Sequence, residues 1–218
     1  MKVICISNQK GGAGKTTFSA LVSYSLADKG RVLTIDADPQ GGLTALFNAP
    51  PGPGLFDLLI GNTADPVNIK QNIDLIRGEH RLDQIAFTMG PYDIENIIKR
   101  FTDYDFIVID TPPTVQGITR SSVIPADTLL IPADIAKTTI GPTLYTLDAL
   151  KALKKAPRVV LIGKEGGTEY NRGLYQEFLK AIKTDYLFTL PRTVSAQKGA
   201  AGECNISKKI QAMIQGAL

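Results

Sequence analysis

Apolar residues follow two rhythms along this chain. Five short runs rich in β-branched residues, Val3 to Ile6, Val32 to Ile35, Phe106 to Ile109, Thr128 to Ile131 and Val159 to Ile162, are apolar at nearly every consecutive position. A strand that buries both faces reads this way, because neither side is left for polar side chains. Between the runs stand amphipathic stretches such as Phe18, Leu21, Val22 and Leu26, spaced i, i+3, i+4, i+8 as on one side of a helix. A longer stretch, Lys137 to Leu153, carries Ile140, Leu144, Leu147 and Leu150 and stops at the basic run before Pro157. Pro50 to Gly54 interrupts regular structure inside a Pro/Gly-rich excursion, Ala49 to Asp65, and a short apolar helix follows it. Strand alternating with helix predicts an α/β fold: a single doubly wound domain over residues 1–218, its mostly parallel central sheet covered by helices on both faces. Ligands are then expected at the carboxyl ends of the strands.

Composition narrows the classes. With 218 residues, 44% of them hydrophobic and 21% charged, the chain buries one substantial core. No apolar run approaches the roughly 20 residues that cross a bilayer, and the first residues lack the pattern of a secretory signal, so a cytoplasmic protein is expected. Cys5 and Cys204 stand apart from any metal-binding or redox pattern. A net charge of +3 permits a nucleic-acid partner without requiring one. His80 is the sole histidine and has no ligand or nucleophile pattern beside it, which predicts a surface loop residue.

The first run leads straight into Asn8-Gln9-Lys10-Gly11-Gly12-Ala13-Gly14-Lys15-Thr16-Thr17, and a helical pattern begins at once. Strand, glycine loop and helix in that order define a phosphate-binding loop. Glycines let backbone N–H groups turn inward around phosphate oxygens, and the helix N-terminus adds partial positive charge. Lys15 is placed to reach the β- and γ-phosphates and the Thr16 hydroxyl to ligate Mg²⁺. Gln9 stands where the ordinary GxxxxGK[ST] pattern opens with glycine, and an additional lysine, Lys10, precedes the double glycine. This arrangement resembles the deviant Walker A signature, KGGxGK[ST], of the ParA/MinD family of ATPases. The resemblance implies ATP and Mg²⁺ as cofactors and an ATP-dependent homodimer in which Lys10 reaches the phosphates held by the partner subunit.

Two apolar runs end in acids: Ile35-Asp36-Ala37-Asp38-Pro39-Gln40-Gly41, and Ile109-Asp110-Thr111-Pro112-Pro113. An apolar strand closing on Asp is the Walker B arrangement, whose carboxylate holds Mg²⁺ through its water shell, and this predicts that role for Asp110. DxDPQ and DTPP match the ParA segments that follow these strands. By that resemblance Asp38 acts on the hydrolytic water, making Lys10, Lys15 and Asp38 the catalytic set, and Asp36 supports the metal site beside Thr16 and Asp110. Phosphoryl transfer needs mainly positioning and charge neutralisation, so these groups suffice for slow hydrolysis.

The resemblance extends along nearly the whole chain. Ser121 to Pro132 looks like the family's helix, Ala-Asp step and strand, and Leu190-Pro191-Arg192-Thr193-Val194 resembles its loop near the adenine, which adds Pro191 and Arg192 to the nucleotide contacts. Leu161 to Gly167 departs from the family pattern. Asp38-Pro39-Gln40 resembles ParA more than MinD, and the cysteine pattern offers no shared cluster ligands, unlike the iron–sulfur relatives. A ParA-like partition ATPase, closest to small Soj-like members, is the implied function, with non-specific DNA and a ParB-like centromere-binding protein as partners and a nucleoid-associated location. Arg192, Lys198, Lys208 and Lys209, with Arg172 and Lys164 beyond them, are candidate DNA-phosphate contacts. The start of the chain leaves no room for a helix-turn-helix extension, so operator binding is not expected. The stretch Ile206 to Leu218 puts Ile206, Ile210, Met213, Ile214 and Leu218 on one helical face with Lys208 and Lys209 opposite. Core packing explains that spacing, and no stable membrane association is expected; a MinD-like membrane- or cargo-positioning ATPase is the alternative. A metabolic P-loop enzyme acting on a small molecule is a third reading, disfavoured by Lys10 and the Asp-Pro-Gln run.

Overall fold

A computed structural model of the chain describes residues 1–134, 137–162, 169–182, 187–190 and 204–215. The five apolar runs become strands β1 (Lys2–Ile6), β2 (Val32–Asp36), β5 (Phe106–Asp110), β6 (Thr128–Asp134) and β7 (Arg158–Ile162). Three further strands, β3 (Val67–Lys70), β4 (Ile73–Ile76) and β8 (Leu187–Leu190), complete an eight-stranded sheet of order β3-β4-β2-β5-β1-β6-β7-β8. Only the β3–β4 pair at one edge is antiparallel; the other recorded pairings are parallel. These three strands have four residues each, too few for a period to stand out, and they form because neighbours supply ladder partners.

Alternate strand residues feed opposite faces. Val3 and Cys5 of β1 join a core with α3 (Leu55–Leu59), α4 (Asp93–Ile98), α5 (Ile118–Val123), α6 (Lys137–Ala152) and α7 (Glu169–Ala181). Ile4 and Ile6 join the other core, with Phe18, Val22 and Leu26 of α1 (Lys15–Ala27) and Ile210, Met213 and Ile214 of α8 (Cys204–Gln215). Both faces are thus covered, which is why the strands carry continuous apolar runs. The C-terminal helix uses its apolar face against α1, as core packing requires, and leaves Lys208 and Lys209 exposed. Helix α2 (Gly42–Leu46) follows β2 and buries Leu43 against Leu75 and Ala20. His80 is exposed, at the start of a 3₁₀ turn.

β1 lies between β5 and β6 at the centre of the sheet. After β1 the chain builds outward to one side as far as β3, and after β5 it returns past β1 to build the other side. The loop leaving β1 therefore opens at the point where the strand order reverses, the crevice in which such sheets bind ligands.

Candidate functional site

The loop from Asn8 to Gly14 turns from β1 into α1. Gly12 and Gly14 have φ of 74° and 81°, in the left-handed region that a side chain disfavours, and Gly14 caps α1. Gly11 and Gly12 are exposed, Ala13 is buried, and Thr16 and Thr17 are half-buried in the first turn of α1. Lys15 is only 7% exposed, its ammonium 3.5 Å from the Lys10 carbonyl oxygen. Burial lowers its pKa, while the charges of Asp110 and Asp38 work against that shift. A buried lysine beside a loop carbonyl and within the field of acids at strand ends suits an anionic ligand that completes its charge balance.

Lys10 points elsewhere. Its ammonium donates to Asp134 Oδ1 at 2.7 Å, at the end of β6, and to Thr139 Oγ1 at 2.6 Å, in α6. Burial raises the Asp134 pKa, but the hydrogen bonds from Lys10 and Thr139 outweigh it and the net shift is downward. Two further threonines of α6 hold the same loop: Thr143 Oγ1 accepts from Asn8 Nδ2 at 3.3 Å, and Thr146 Oγ1 accepts from the Gln9 N–H at 3.1 Å. Thr139, Thr143 and Thr146 follow one helical face and are fully buried, so α6 is fastened along the loop.

The acids meet where β2 and β5 run side by side, with Asp36 and Asp110 as paired positions of the ladder. Both are fully buried. Burial pushes Asp36 up to about 6, against the hydrogen bonds from Thr44 and Asp38. Burial and then the neighbouring Asp36 push Asp110 up to about 7, against Thr16, Ser19 and Lys15. Ser19 Oγ lies 2.9 Å from Asp110 Oδ1, whereas Asp110 Oδ2 has no hydrogen-bond partner among the described residues. A buried carboxylate oxygen lacking a partner beside the Thr16 hydroxyl fits a Mg²⁺ ion approached through its water shell.

Asp36 differs from Asp110 in having its oxygens occupied. Oδ2 accepts from Thr44 N and Thr44 Oγ1, both at 2.8 Å, and Oδ1 accepts from Asp38 N at 3.2 Å. Asp38, half-buried, turns the chain by accepting from Gln40 N at 2.9 Å. Thr44, Thr139, Thr143, Thr146 and Ser19 are site residues that the sequence reading missed. The spacing of the three threonines on α6 was the signal available for them. Pro191, Arg192, Lys198 and Lys164 lie outside the described residues, so the adenine contacts and most DNA candidates are not among the groups placed here; Arg172 falls on α7, and Lys208 and Lys209 on α8.

The sequence model of the family described as an AAA domain matches residues 1–159, which contain the phosphate loop and all three acids. The chain belongs to the ParA/MinD-type family of P-loop ATPases. It is 32% identical to the sporulation initiation inhibitor protein Soj of Bacillus subtilis, over 73% of this chain and 66% of that protein. It is also 32% identical to the maintenance of carboxysome distribution protein A of Synechococcus elongatus, over 71% of this chain and 67% of that one. Among solved structures, the ATP complex of a Cyanothece McdA variant superposes with TM-score 0.85 at 21% identity, covering 99% of this chain and 96% of that one. A cobyrinic acid a,c-diamide synthase of Mycobacterium smegmatis, bound to an ATP analogue and magnesium, superposes with TM-score 0.82 at 22% identity, covering 99% and 95%. McdA and a small-molecule synthase share this architecture, so the fold alone does not choose an activity for the chain. Among the described residues no helix is long and apolar enough to cross a membrane.

Proposed function

We propose that this chain is a ParA-type partition ATPase acting as one domain over residues 1–218. ATP drives a sandwich homodimer, the dimer binds DNA non-specifically, and a ParB-like partner stimulates slow hydrolysis and release, so that a plasmid or chromosome is segregated in the nucleoid-associated cytoplasm. The observation that carries this reading is the contrast between the two loop lysines. Lys15 is buried against the loop, its ammonium beside the Lys10 carbonyl, suited to the phosphates of its own subunit. Lys10 turns its ammonium away to Asp134 and Thr139, a placement that suits a group destined for the partner subunit's nucleotide.

Gly11, Gly12, Ala13, Gly14, Thr16 and Thr17 supply backbone donors and the α1 N-terminus to the phosphates. Mg²⁺ would neutralise phosphate charge; Thr16 and the unpartnered oxygen of Asp110 are the groups that would hold it, Asp110 through water. Asp38 orients the attacking water. Lysines of α8, with Arg192 and Lys198, gather phosphate contacts from both subunits. The relatives are named for sporulation initiation and for carboxysome distribution, so the cargo is the more specific part of the proposal. The apolar face of α8 is occupied against α1, which favours DNA over a lipid surface as the track.

The test is ATP-dependent binding of the Asp38→Ala protein to non-specific duplex DNA, with an ADP control and a salt titration. Binding with ATP alone that weakens steeply with salt is expected. A demonstrable ATP dimer that ignores DNA would overturn the DNA-carrier reading, and binding of that dimer to anionic vesicles would replace it with the MinD-like one.

A further inference from the structure

The carboxylate of Asp36 closes the loop that carries Asp38 at both of its ends. At the near end Oδ1 accepts from Asp38 N, and at the far end Oδ2 accepts twice from Thr44, through its amide and its hydroxyl. The Thr44 hydroxyl is itself fixed, because Oγ1 accepts from Gly78 N at 2.9 Å just beyond β4. Thr44 therefore ties the Asp38 loop to the ends of two neighbouring strands, β2 and β4, which pair in parallel. A single hydroxyl that donates to one strand end and accepts from the other fixes the loop in one register.

We propose that Thr44 is a positioning residue for phosphoryl transfer: its hydroxyl, through Asp36, sets where Asp38 stands, and Asp36 serves as the clamp of this loop and not as a support of the metal. The inference rests on the reading of Asp38 as the residue that orients the attacking water. Asp110 and Asp36 are then two buried acids with separate tasks. The first keeps an oxygen without a protein partner, and the second has both oxygens engaged by backbone and hydroxyl donors. A Mg²⁺-bound water that called on Asp36 Oδ2 would have to displace a donor from Thr44, and one that called on Oδ1 would share that oxygen with the Asp38 amide, whereas one that called on Asp110 Oδ2 meets no protein donor among the described residues.

Thr44→Val keeps the shape of the side chain, removes the hydroxyl, and leaves the Gly78 N–H without its acceptor; Thr44→Ser keeps the hydroxyl. A water-orienting group that drifts by about 1 Å costs on the order of a hundredfold in rate. In Thr44→Val, kcat for ATP should fall about tenfold to a hundredfold, while affinity for a fluorescent ATP analogue changes less than about threefold, since Lys15 and the glycine loop are untouched. Thr44→Ser should return kcat to within about threefold of the parent. The Mg²⁺ concentration at half-maximal nucleotide binding should be the same for the parent, Thr44→Val and Asp36→Asn. Hydrogen exchange in the nucleotide-free protein reads the clamp without any reaction, and the amides of Asp38 and Thr44 should exchange at least about tenfold faster in Thr44→Val.

Unchanged exchange in Thr44→Val overturns the clamp. A rate and a nucleotide affinity that fall together and are not recovered by Thr44→Ser reduce Thr44 to a folding role and overturn the positioning assignment. A raised Mg²⁺ requirement in Asp36→Asn alone returns Asp36 to the metal. A parent protein that binds ATP but does not hydrolyse it, with the exchange result as expected, refutes the proposed function and leaves the clamp standing.

Discussion

Gly78 offers a sharp test of how tightly the Asp38 loop is braced. A Cβ built at this position would lie 2.6 Å from the Asp36 backbone oxygen, 2.7 Å from its Cγ and 2.9 Å from its Oδ1. None of these atoms is the free end of a flexible side chain. The oxygen belongs to the last residue of β2, which is laddered to β4 on one side and β5 on the other, and the carboxyl group is held by Thr44 and Asp38. Strain cannot be relieved by a rotamer change, so Gly78→Ala carries the cost of an overpacked core, about 1–3 kcal/mol. In a chain of this length each kcal/mol corresponds to about 2–4 °C, which puts the fall in Tm at roughly 2–12 °C. Whatever relief occurs must move Asp36 or residue 78 itself, and both anchor Thr44, so ATP turnover should fall as well. Differential scanning calorimetry of the nucleotide-free protein with a steady-state phosphate-release assay measures both. A Gly78→Ala protein with Tm within about 1 °C of the parent and unchanged turnover would refute the close packing of this residue on Asp36 and the brace built on it.

The buried acid pair predicts a pH dependence with a definite sign. Asp36 and Asp110 are raised in the folded protein to about 6 and about 7, above the ordinary carboxylate value, so the native state holds protons that the unfolded chain has already lost. Their contribution to stability is fully present below the ordinary carboxylate pKa and is lost as pH rises through about 6 to 7, with a slope of at most about 1.4 kcal/mol per pH unit for each proton. Urea titrations in EDTA should show the slope reduced in Asp110→Asn; an identical slope in the two proteins contradicts the raised pKa. The Lys10 contact predicts a change in assembly. Side-chain exposures of 21% for Lys10 and 43% for Asp134 limit their ion pair to about 1 kcal/mol or less, so Asp134→Asn should lower the ATP concentration needed for dimerisation by up to about fivefold. The effect should shrink at high salt, and light scattering across an ATP titration that finds a higher requirement would contradict the idea that Lys10 must leave Asp134 to reach a partner.

The parts of this protein that depend on neighbours in the chain were legible before any tertiary structure. Lys10 to Thr17 specify a turn, a cap and a helix start within ten positions, and the run ending in Asp110 specifies a buried strand with an acid at its tip, because these properties follow from local backbone conformation and apolar periodicity. α6 was legible for the same reason: the stretch read as Lys137 to Leu153 is helical over Lys137–Ala152, despite Pro142 inside it. The strands β3, β4 and β8 were not, since four residues carry too little pattern and their ladders come from partners elsewhere in the chain. The same limit hid the contacts that give the site its shape. Lys10 meets Asp134 across 124 positions, Asn8 meets Thr143 across 135, and Gly78 meets Thr44 across 34. Sequence named Asp36 and Asp110 as acids at strand ends, but it could not distinguish one with both oxygens engaged from one with an oxygen left over. That difference is set by which hydroxyls and amides the folded sheet brings within hydrogen-bond reach, and only packing decides it.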